Sequence, residues 1–391
     1  MKIAFFHNLP SGGGKRSAFE WVKIMSKYHE VDLYLYNSNA EFFLDLKPLV
    51  NETFIIETGN VSGTGGFGRI ISLHNANKAS RKIAKVINNK NYELAFVMQC
   101  EVSNSPYLLR YLNIPSLYFC NEPLIKIFEP HCEGHWRKGI LSPIKKFVIN
   151  LIIKNDCKNA KYASLICANS LYSIENIYRN FGVYPRLNYC GVDIIKFHPM
   201  NLHREKQVLC VGSLTPAKGY DFVIRSVATI DENERPSIKF IYNSTYYRSN
   251  YQLELSMLAS KLKVKIDFSN LVSDNDLVIA YNSSLVTACP NLLEPFGLVP
   301  IESMACATPV VGISEGGLRE SINNNETGLL TERVEEEFGE AIKKIIMNPR
   351  LWHNMSKNGR QQVINDWTWE KSYNHLDNLM NLAVKIFKKN N

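Results

Sequence analysis

Short apolar runs recur along the chain and alternate with segments in which apolar residues follow a helical spacing. In the first half the runs lie at 2–7, 31–36, 92–98 and 116–120. Ala18, Val22 and Met25 mark a helix between the first two runs. Apolar runs of this length, bounded by loops, are typical of buried parallel strands. A strand, a glycine-rich loop, a helix and a second strand are the opening of a Rossmann-like unit.

The same alternation begins again after a polar stretch at 200–206, which we interpret as a linker. Its first elements are a strand at 207–211, a loop that ends at Gly219, and a helix marked by Phe222 and Ala228. A chain of 391 residues is too long for one typical core. We therefore predict an α/β protein with an N-terminal domain at 1–200, a C-terminal domain at 201–370 and a terminal helix at 371–391.

The most informative stretch begins at Pro290 and ends in a short β run at Val311. Within it Glu294 and Glu302 lie eight residues apart, separated by a Pro-Phe-Gly turn and an apolar run that predicts a helix. The first N–H groups of a helix lack intrahelical partners and carry partial positive charge, which suits a phosphate. Carboxylates accept hydrogen bonds from sugar and ribose hydroxyls. The stretch therefore suits a nucleotide-sugar, and the alternative is an ordinary capped helix with solvated carboxylates.

This stretch closely resembles the Glu-(seven residues)-Glu motif of the retaining glycosyltransferases of family 4, within the glycosyl transferases group 1. The resemblance covers nearly the whole chain and is strongest from Leu165 to Leu330. It implies the GT-B fold, in which two Rossmann-like, doubly wound parallel-sheet domains face a cleft and a C-terminal helix crosses back to the first domain. The N-terminal domain would be the acceptor side and the C-terminal domain the donor side. Gly191-Val192-Asp193 would form a turn at the crossover, although glycine and aspartate favour turns in any case.

The family's donor contacts fall, by this resemblance, on five positions of the motif. Glu294 would contact the hydroxyls of the donor sugar and Glu302 would contact the ribose. The backbone amides of Phe296, Gly297 and Leu298 would contact the sugar and the phosphates.

A second donor element is implied where Lys218 and Gly219 precede the next helix. In the family, a lysine at this position grips the donor diphosphate and offsets the charge of the leaving group, as a lysine and a helix dipole can do without a metal ion. Ser213 stands where the family usually has an arginine, so a bidentate phosphate contact is missing. The basic residues that could supply it instead are Lys15, Arg16 and Arg248. Outside this context, a solvated lysine is the ordinary interpretation of Lys218.

Two features of the N-terminal half are assigned to the site by the same resemblance. The loop Gly12-Gly13-Gly14 is neither a Walker A sequence nor a dinucleotide fingerprint. In the family a similar loop lines the cleft across from the donor site. Because glycine lets backbone approach a ligand closely, Gly13 and Gly14 are predicted to contact the donor. Asn121 is predicted to be catalytic, because many relatives place a histidine there or beside it, although an amide can only hydrogen-bond and cannot act as an acid or base. Glu122 is either a ligand contact or a surface acid.

Composition narrows the class of protein without identifying it. Hydrophobic residues at 45% and charged residues at 21% are typical of folded globular proteins. The net charge of +8 favours anionic partners such as nucleotide phosphates or acidic lipids, and it does not demand nucleic acid. Nine scattered cysteines without a C-x-x-C pair indicate neither a disulfide framework nor a zinc site. We predict no metal and no cofactor beyond the nucleotide-sugar substrate.

The expected location is cytoplasmic, because the short apolar start at 2–7 does not suit a signal sequence and no run approaches about 18 apolar residues. One segment suggests peripheral contact with an anionic membrane. Trp136 and several lysines surround an apolar helix at 136–161, and such a helix either lies on a membrane surface or packs into the domain core.

The reaction implied by the resemblance is transfer of a sugar from a nucleotide-sugar to a hydroxyl of a glycan or lipid-linked glycan, with retention of configuration and without a metal ion. Ser213 and Asn121 depart from the family pattern and leave an alternative, a catalytically degenerate homologue that binds a sugar nucleotide or a partner enzyme. A dinucleotide oxidoreductase is the third interpretation, and the missing fingerprint argues against it.

Overall fold

The computed structural model describes residues 1–37, 43–59, 66–123, 143–242, 249–270 and 273–390. The chain divides into two units, one of Met1–Tyr189 with Glu370–Asn391 and one of Cys190–Trp369. Arg248, the basic stretch around Trp136 and the rest of 124–142 fall outside the described residues, and so do the side chains at 143–146. The proposed membrane segment is therefore only partly described.

The first unit is built on a parallel sheet whose described strands follow the order β3-β2-β1-β4-β5-β6-β7. Its strands are β1 Lys2–Asn8, β2 Glu30–Tyr36, β3 Glu52–Ile56, β4 Leu94–Cys100, β5 Ser116–Phe119, β6 Leu165–Ala168 and β7 Arg186–Leu187. In β1, Ile3 aligns with Val31 on one side and with Leu94 on the other. Every residue of β4 is buried, because helices cover both faces of such a sheet.

Four helices follow strands of this sheet in the described chain: α1 Gly13–Met25, α2 Gly66–Asn88, α3 Pro143–Ala160 and α4 Leu171–Phe181. The ends of α4 follow from local chemistry. The Ser170 hydroxyl accepts a hydrogen bond from the Ser173 amide at the N-cap, and Gly182 ends the helix in the left-handed conformation. The sequence pattern predicted α1, but it did not single out β3 or α2.

The second unit repeats the design with a parallel sheet in the order β10-β9-β8-β11-β12-β13. Its strands are β8 Glu205–Val211, β9 Ser237–Tyr242, β10 Ile266–Asn270, β11 Ser284–Cys289, β12 Val310–Ile313 and β13 Gly328–Thr331. Its described helices are α5 Tyr220–Ala228, α6 Ser249–Lys261, α7 Asp274–Ser283, α8 Leu298–Ala305, α9 Leu318–Ser321, α10 Glu335–Ile346 and α11 Pro349–Asp366. Two parallel-sheet, Rossmann-like units are what the sequence predicted.

The last helix, α12 Trp369–Asn390, belongs to the first unit from Glu370 onward. The indole Nε1 of Trp21 on α1 donates a hydrogen bond of 2.9 Å to the hydroxyl of Ser372, and His29 Nε2 lies 2.8 Å from Asp377 Oδ1. The terminal helix therefore packs against elements from the start of the chain.

Two further properties concern the described residues as a whole. None of the helices among them is both long and apolar enough to cross a membrane. All of the described cysteines are free thiols, and each except Cys157 is buried.

Gly191 lies where the chain passes into the second unit, and its role is close packing of backbone. A Cβ at Gly191 would lie 2.5 Å from the Trp369 amide nitrogen. Next to it, the Val192 amide donates a hydrogen bond of 2.8 Å to the Trp367 carbonyl. The division between the units falls after Tyr189, so Gly191 and the residues up to 200 belong to the second unit rather than to the first.

Replacing Gly191 with alanine should destabilise the second unit, because the added methyl group meets backbone that cannot move aside. We expect Gly191→Ala to lower the free energy of unfolding by about 1–3 kcal/mol, measured by urea denaturation followed by circular dichroism. Ile195→Ala, at a side chain that is 86% exposed, is the control and should leave stability unchanged. Equal stability of the two variants would contradict this role for Gly191.

Candidate functional site

The candidate site lies in the loop between β11 and α8. Helix α8 begins after Gly297, whose φ of 90° lies outside the helical region, and no side chain caps its N-terminus. The first amides of the helix, at Leu298 and Val299, therefore face the loop that precedes them. The partial positive charge of the helix N-terminus adds to them, so this end of α8 is suited to an anion.

An ammonium group and a carboxylate meet beside this helix end. Lys218 Nζ lies 2.9 Å from Glu294 Oε2, and the two side chains are 26% and 21% exposed. The Asn291 side-chain amide donates to the same carboxylate oxygen. The lysine and the glutamate come from two different loops, so the fold brings these two predicted residues together. Both remain accessible enough to contact a ligand.

The two loops are held together by backbone contacts. The Leu292 amide donates a hydrogen bond of 3.2 Å to the Ala217 carbonyl. Gly219 has a φ of 66°, and a Cβ on it would lie 2.8 Å from the Pro290 carbonyl oxygen. Gly219 is therefore explained by its conformation and by this close approach, which place Lys218 next to the loop that carries Glu294.

Glu302 is held in a different way, inside the unit. It lies on α8, is 5% exposed, and its Oε2 accepts a hydrogen bond of 2.9 Å from the Tyr281 hydroxyl. Burial raises the pKa of Tyr281 well above its usual value, and the neighbouring Glu302 carboxylate raises it further. The tyrosine therefore stays protonated and donates, which fixes the orientation of the carboxylate.

Phe296 contributes only its backbone to the site. Its side chain is 2% exposed, and its ring centroid lies 5.4 Å from that of Trp367. The ring therefore anchors the turn in the core of the second unit. A contact between this residue and a ligand can be made only by main-chain atoms, which is the contact that the resemblance implied.

Two other hydroxyl groups, those of Thr215 and Tyr220, lie in the region around Ser213. The Ser213 hydroxyl lies 3.4 Å from that of Thr215. Nearby, the buried hydroxyl of Tyr220 lies 3.2 Å from the position of a Cβ on Gly212. The two basic candidates of the first unit each have a partner within that unit. Lys15 Nζ is 3.1 Å from His7 Nε2, and Arg16 lies over the ring of Phe43.

Arg333 stabilises the loop and was not predicted from the sequence. Its guanidinium forms a two-point ion pair with Glu315, with nitrogen–oxygen distances of 3.0 and 2.8 Å. It also donates to the carbonyls of Pro290 and Asn291 at 2.9 and 3.2 Å. Nothing in the local pattern marked Arg333, because its partners are distant in the chain.

The Gly316-Gly317 turn holds the other side of the same loop. The Gly317 amide donates a hydrogen bond of 2.8 Å to the Glu294 carbonyl. A Cβ on Gly316 would lie 2.4 Å from the Glu294 carbonyl oxygen, and one on Gly317 would lie 2.3 Å from that of Pro295. The reason for these two glycines is direct contact between backbones.

The C-terminal end of α8 is fixed by two arginines. Arg204 donates to the Cys306 carbonyl at 3.0 Å, and Arg360 donates to the Ala305 carbonyl at 2.8 Å. Burial lowers the pKa of both guanidinium groups from the usual value. Cations at a helix C-terminus satisfy its free carbonyls and favour its dipole. The helix that carries Glu302 is thus held at its C-terminal end as well.

The predicted residues of the first unit meet around a cavity of about 360 Å³ within that unit. Gly13, Gly14 and Asn121 line it, and a Cβ on Gly14 would lie 3.3 Å from Asn121 Nδ2. The Asn121 amide donates to Gln99 Oε1 at 2.8 Å and accepts from Asn169 at 3.3 Å. This network fixes the orientation of Asn121, which sequence reasoning could not foresee.

Comparison with known families matches residues 193–362 to the model of the glycosyl transferases group 1. A probable sucrose-phosphate synthase of Thermosipho melanesiensis is 29% identical over 274 residues, which are 65% of this chain and 63% of that protein. A D-inositol 3-phosphate glycosyltransferase of Rhodococcus jostii is 29% identical over 206 residues, 47% of this chain and 45% of that protein. The chain thus spans less than two thirds of the length of these curated relatives.

Solved structures match almost the whole chain. A sucrose-phosphate synthase from Thermosynechococcus elongatus superposes with a TM-score of 0.80 at 20% identity, covering 97% of this chain and 98% of that one. Anabaena HepE in complex with UDP and glucose gives a TM-score of 0.76 at 17% identity, with 97% and 99% covered. These likenesses confirm the predicted GT-B fold.

Gly317 provides a direct test of how the loop is held. Its φ of −77° and ψ of −8° are open to alanine, so a methyl group there is opposed by neighbouring backbone alone, which includes the Pro295 carbonyl and the Phe296 Cα. We expect Gly317→Ala to lower the free energy of unfolding by about 1–3 kcal/mol, measured by thermal denaturation. Ser314→Ala, nearby and without added volume, is the control. Wild-type stability of Gly317→Ala would show that the turn does not hold the loop.

Proposed function

We propose that this chain, whose residues 193–362 match the model of the glycosyl transferases group 1, transfers a sugar from a nucleotide-sugar donor to a hydroxyl group of an acceptor. One observation carries the proposal. Lys218 and Glu294 meet at 2.9 Å beside the uncapped N-terminus of α8. A cation and a helix end suit a diphosphate, and a carboxylate suits the hydroxyls of the sugar attached to it.

The donor would bind with its negatively charged diphosphate next to Lys218 and the N-terminus of α8. The diphosphate would replace Glu294 as the partner of Lys218 and would also accept hydrogen bonds from the amides of Leu298 and Val299. Glu294 would then turn to the hydroxyls of the sugar. Glu302, whose carboxylate is held by Tyr281, would accept a hydrogen bond from the ribose. The HepE structures with UDP and UDP-glucose make UDP-glucose the first donor to test.

We propose that the reaction retains the anomeric configuration. The bond between C1 of the sugar and the phosphate oxygen breaks, and a bond from C1 to the acceptor oxygen forms on the same face. The proton of the acceptor hydroxyl passes to the departing phosphate oxygen, so no protein base is required. Lys218 and the α8 dipole stabilise the charge on that phosphate. Asn121 can orient a hydroxyl by hydrogen bonding, and this mechanism does not require it to take or give a proton.

Acceptor and membrane contact belong to the same proposal. We propose a glycan or lipid-linked glycan as the acceptor and peripheral contact with an anionic membrane through the basic segment at 136–161. Flotation with anionic vesicles at low salt tests the membrane contact, and absence of binding would remove it.

The roles of Lys218 and Glu294 can be tested with two substitutions, which should differ in their effect on binding of the product UDP. Lys218→Met should weaken UDP binding at least about tenfold, because a charge-assisted hydrogen bond to the diphosphate is lost. Glu294→Gln should leave UDP binding equal or tighter, because a negative charge beside the diphosphate is removed. Transfer should fall about 100-fold or more in both variants. Calorimetric titration with UDP and a coupled assay of UDP release provide the measurements.

A similar ion pair in the same unit supplies the control. Lys343 Nζ lies 2.7 Å from Glu234 Oε2, and the two side chains are 29% and 35% exposed. Lys343→Met and Glu234→Gln should leave UDP binding and transfer unchanged. Full turnover by Lys218→Met or Glu294→Gln would contradict the proposal. UDP binding that depends on Lys218, without transfer or donor hydrolysis by the wild-type chain, would favour the degenerate homologue.

Charge compensation by Lys218 and the helix dipole also predicts the metal dependence. Transfer should be unchanged in excess EDTA and should not rise when Mg²⁺ or Mn²⁺ is added, because the diphosphate charge is offset by protein groups. The measurement is the rate of UDP release with and without chelator. Loss of activity in EDTA and recovery on adding one of these ions would contradict a metal-independent reaction.

A further inference from the structure

The cavity of the first unit contains a charged group that the proposed donor chemistry does not use. Arg69, in the first turn of α2, lines the cavity together with Gly13, Gly14 and Asn121. Its Nη2 donates hydrogen bonds of 3.0 Å to the carbonyls of Glu101 and Val102. Both partners are neutral main-chain groups, so the side chain is held in place without neutralising its charge.

The rest of the guanidinium is available to a ligand. Within the described residues, Nε and Nη1 of Arg69 have no hydrogen-bond acceptor, and the side chain forms no ion pair. An arginine presents several N–H donors in a planar fork that matches phosphate and carboxylate oxygens. A fork anchored by one nitrogen, with the others unused beside a cavity, is arranged to bind an anion.

The other polar groups of the cavity agree with this role. Lys15 adds a second basic side chain to the lining, next to His7 at 3.1 Å. Glu101 is the acidic residue among the described lining residues, and its side chain is exposed. Asn121 supplies a neutral amide, which donates at 2.8 Å to Gln99, and the Gln99 amide in turn donates to Asn104 and to the Glu122 carbonyl. The cavity thus combines basic side chains with an amide that can bind a hydroxyl.

We propose that Arg69 is a specificity-determining residue that makes this cavity select an acceptor with an anionic group, a phosphate or carboxylate attached to the hydroxyl-bearing part. The identification of the ligand as the acceptor depends on the proposed glycosyl transfer. Arg69 binds the anionic group, and the side-chain amide of Asn121 binds a neighbouring hydroxyl. The volume of about 360 Å³ accommodates one sugar-sized group.

The test compares probes that differ only in the anionic group. Glucose 6-phosphate should bind the full chain at least about tenfold more tightly than glucose, because charge-assisted hydrogen bonds to Arg69 are added. Arg69→Gln should remove this preference, and Arg69→Lys should restore part of it. Arg81→Gln, which removes the same charge from an exposed position of α2, should keep it. Calorimetric titration gives these affinities, and thermal denaturation verifies that each variant is folded.

A second arm separates soluble from lipid-linked phosphate. Vesicles of phosphatidylcholine with phosphatidic acid replace the sugar phosphate, and pure phosphatidylcholine is the reference. If binding depends on Arg69 in only one arm, that arm identifies the phosphate as soluble or lipid-linked, and the result supports the proposal. Equal binding by wild type and Arg69→Gln in both arms would overturn it, as would equal affinity for charged and neutral probes.

UDP titration distinguishes failure of this inference from failure of the proposed function. Arg69→Gln should bind UDP as the wild type does. If wild-type UDP binding depends on Lys218 while neither anionic probe depends on Arg69, the donor site stands and the role of Arg69 is wrong. If the anionic probes depend on Arg69 but UDP does not bind, the anion site stands and its ligand is not a glycosyl acceptor.

Discussion

The candidate site depends on backbone packed directly against backbone around the loop that carries Glu294. Gly219 approaches the Pro290 carbonyl on one side, and Gly316 and Gly317 approach Glu294 and Pro295 on the other. Side chains would hold these segments apart, so glycine is required at each contact. Because the loop cannot shift without breaking them, Lys218 and Glu294 are held within hydrogen-bonding distance.

Helix α8 adds electrostatics to this geometry. Its N-terminus faces the loop without a capping side chain, while Arg204 and Arg360 satisfy carbonyls at its C-terminal end. One end is thus neutralised by the protein, and the other is left for an anion. The buried hydrogen bond from Tyr281 then fixes Glu302 on the same helix.

Much of this could be predicted from sequence, because it follows from local patterns. Apolar runs predicted the parallel strands, and the motif around Glu294 and Glu302 predicted a helix with an exposed first turn. The supporting contacts could not be predicted, because they join residues far apart in the chain. Arg333 and Arg204 bind carbonyls of residues distant in the chain, and Gly191 meets the backbone of Trp369. Periodicity carries no information about such partners.

The most direct test of the central claim is a crystal structure of the chain with a bound nucleotide-sugar. The account predicts that Lys218 Nζ leaves Glu294 and contacts a phosphate oxygen at the N-terminus of α8. Glu294 should then accept hydrogen bonds from the sugar, and Glu302 from the ribose. A nucleotide bound elsewhere, with the pair of Lys218 and Glu294 intact, would contradict the account.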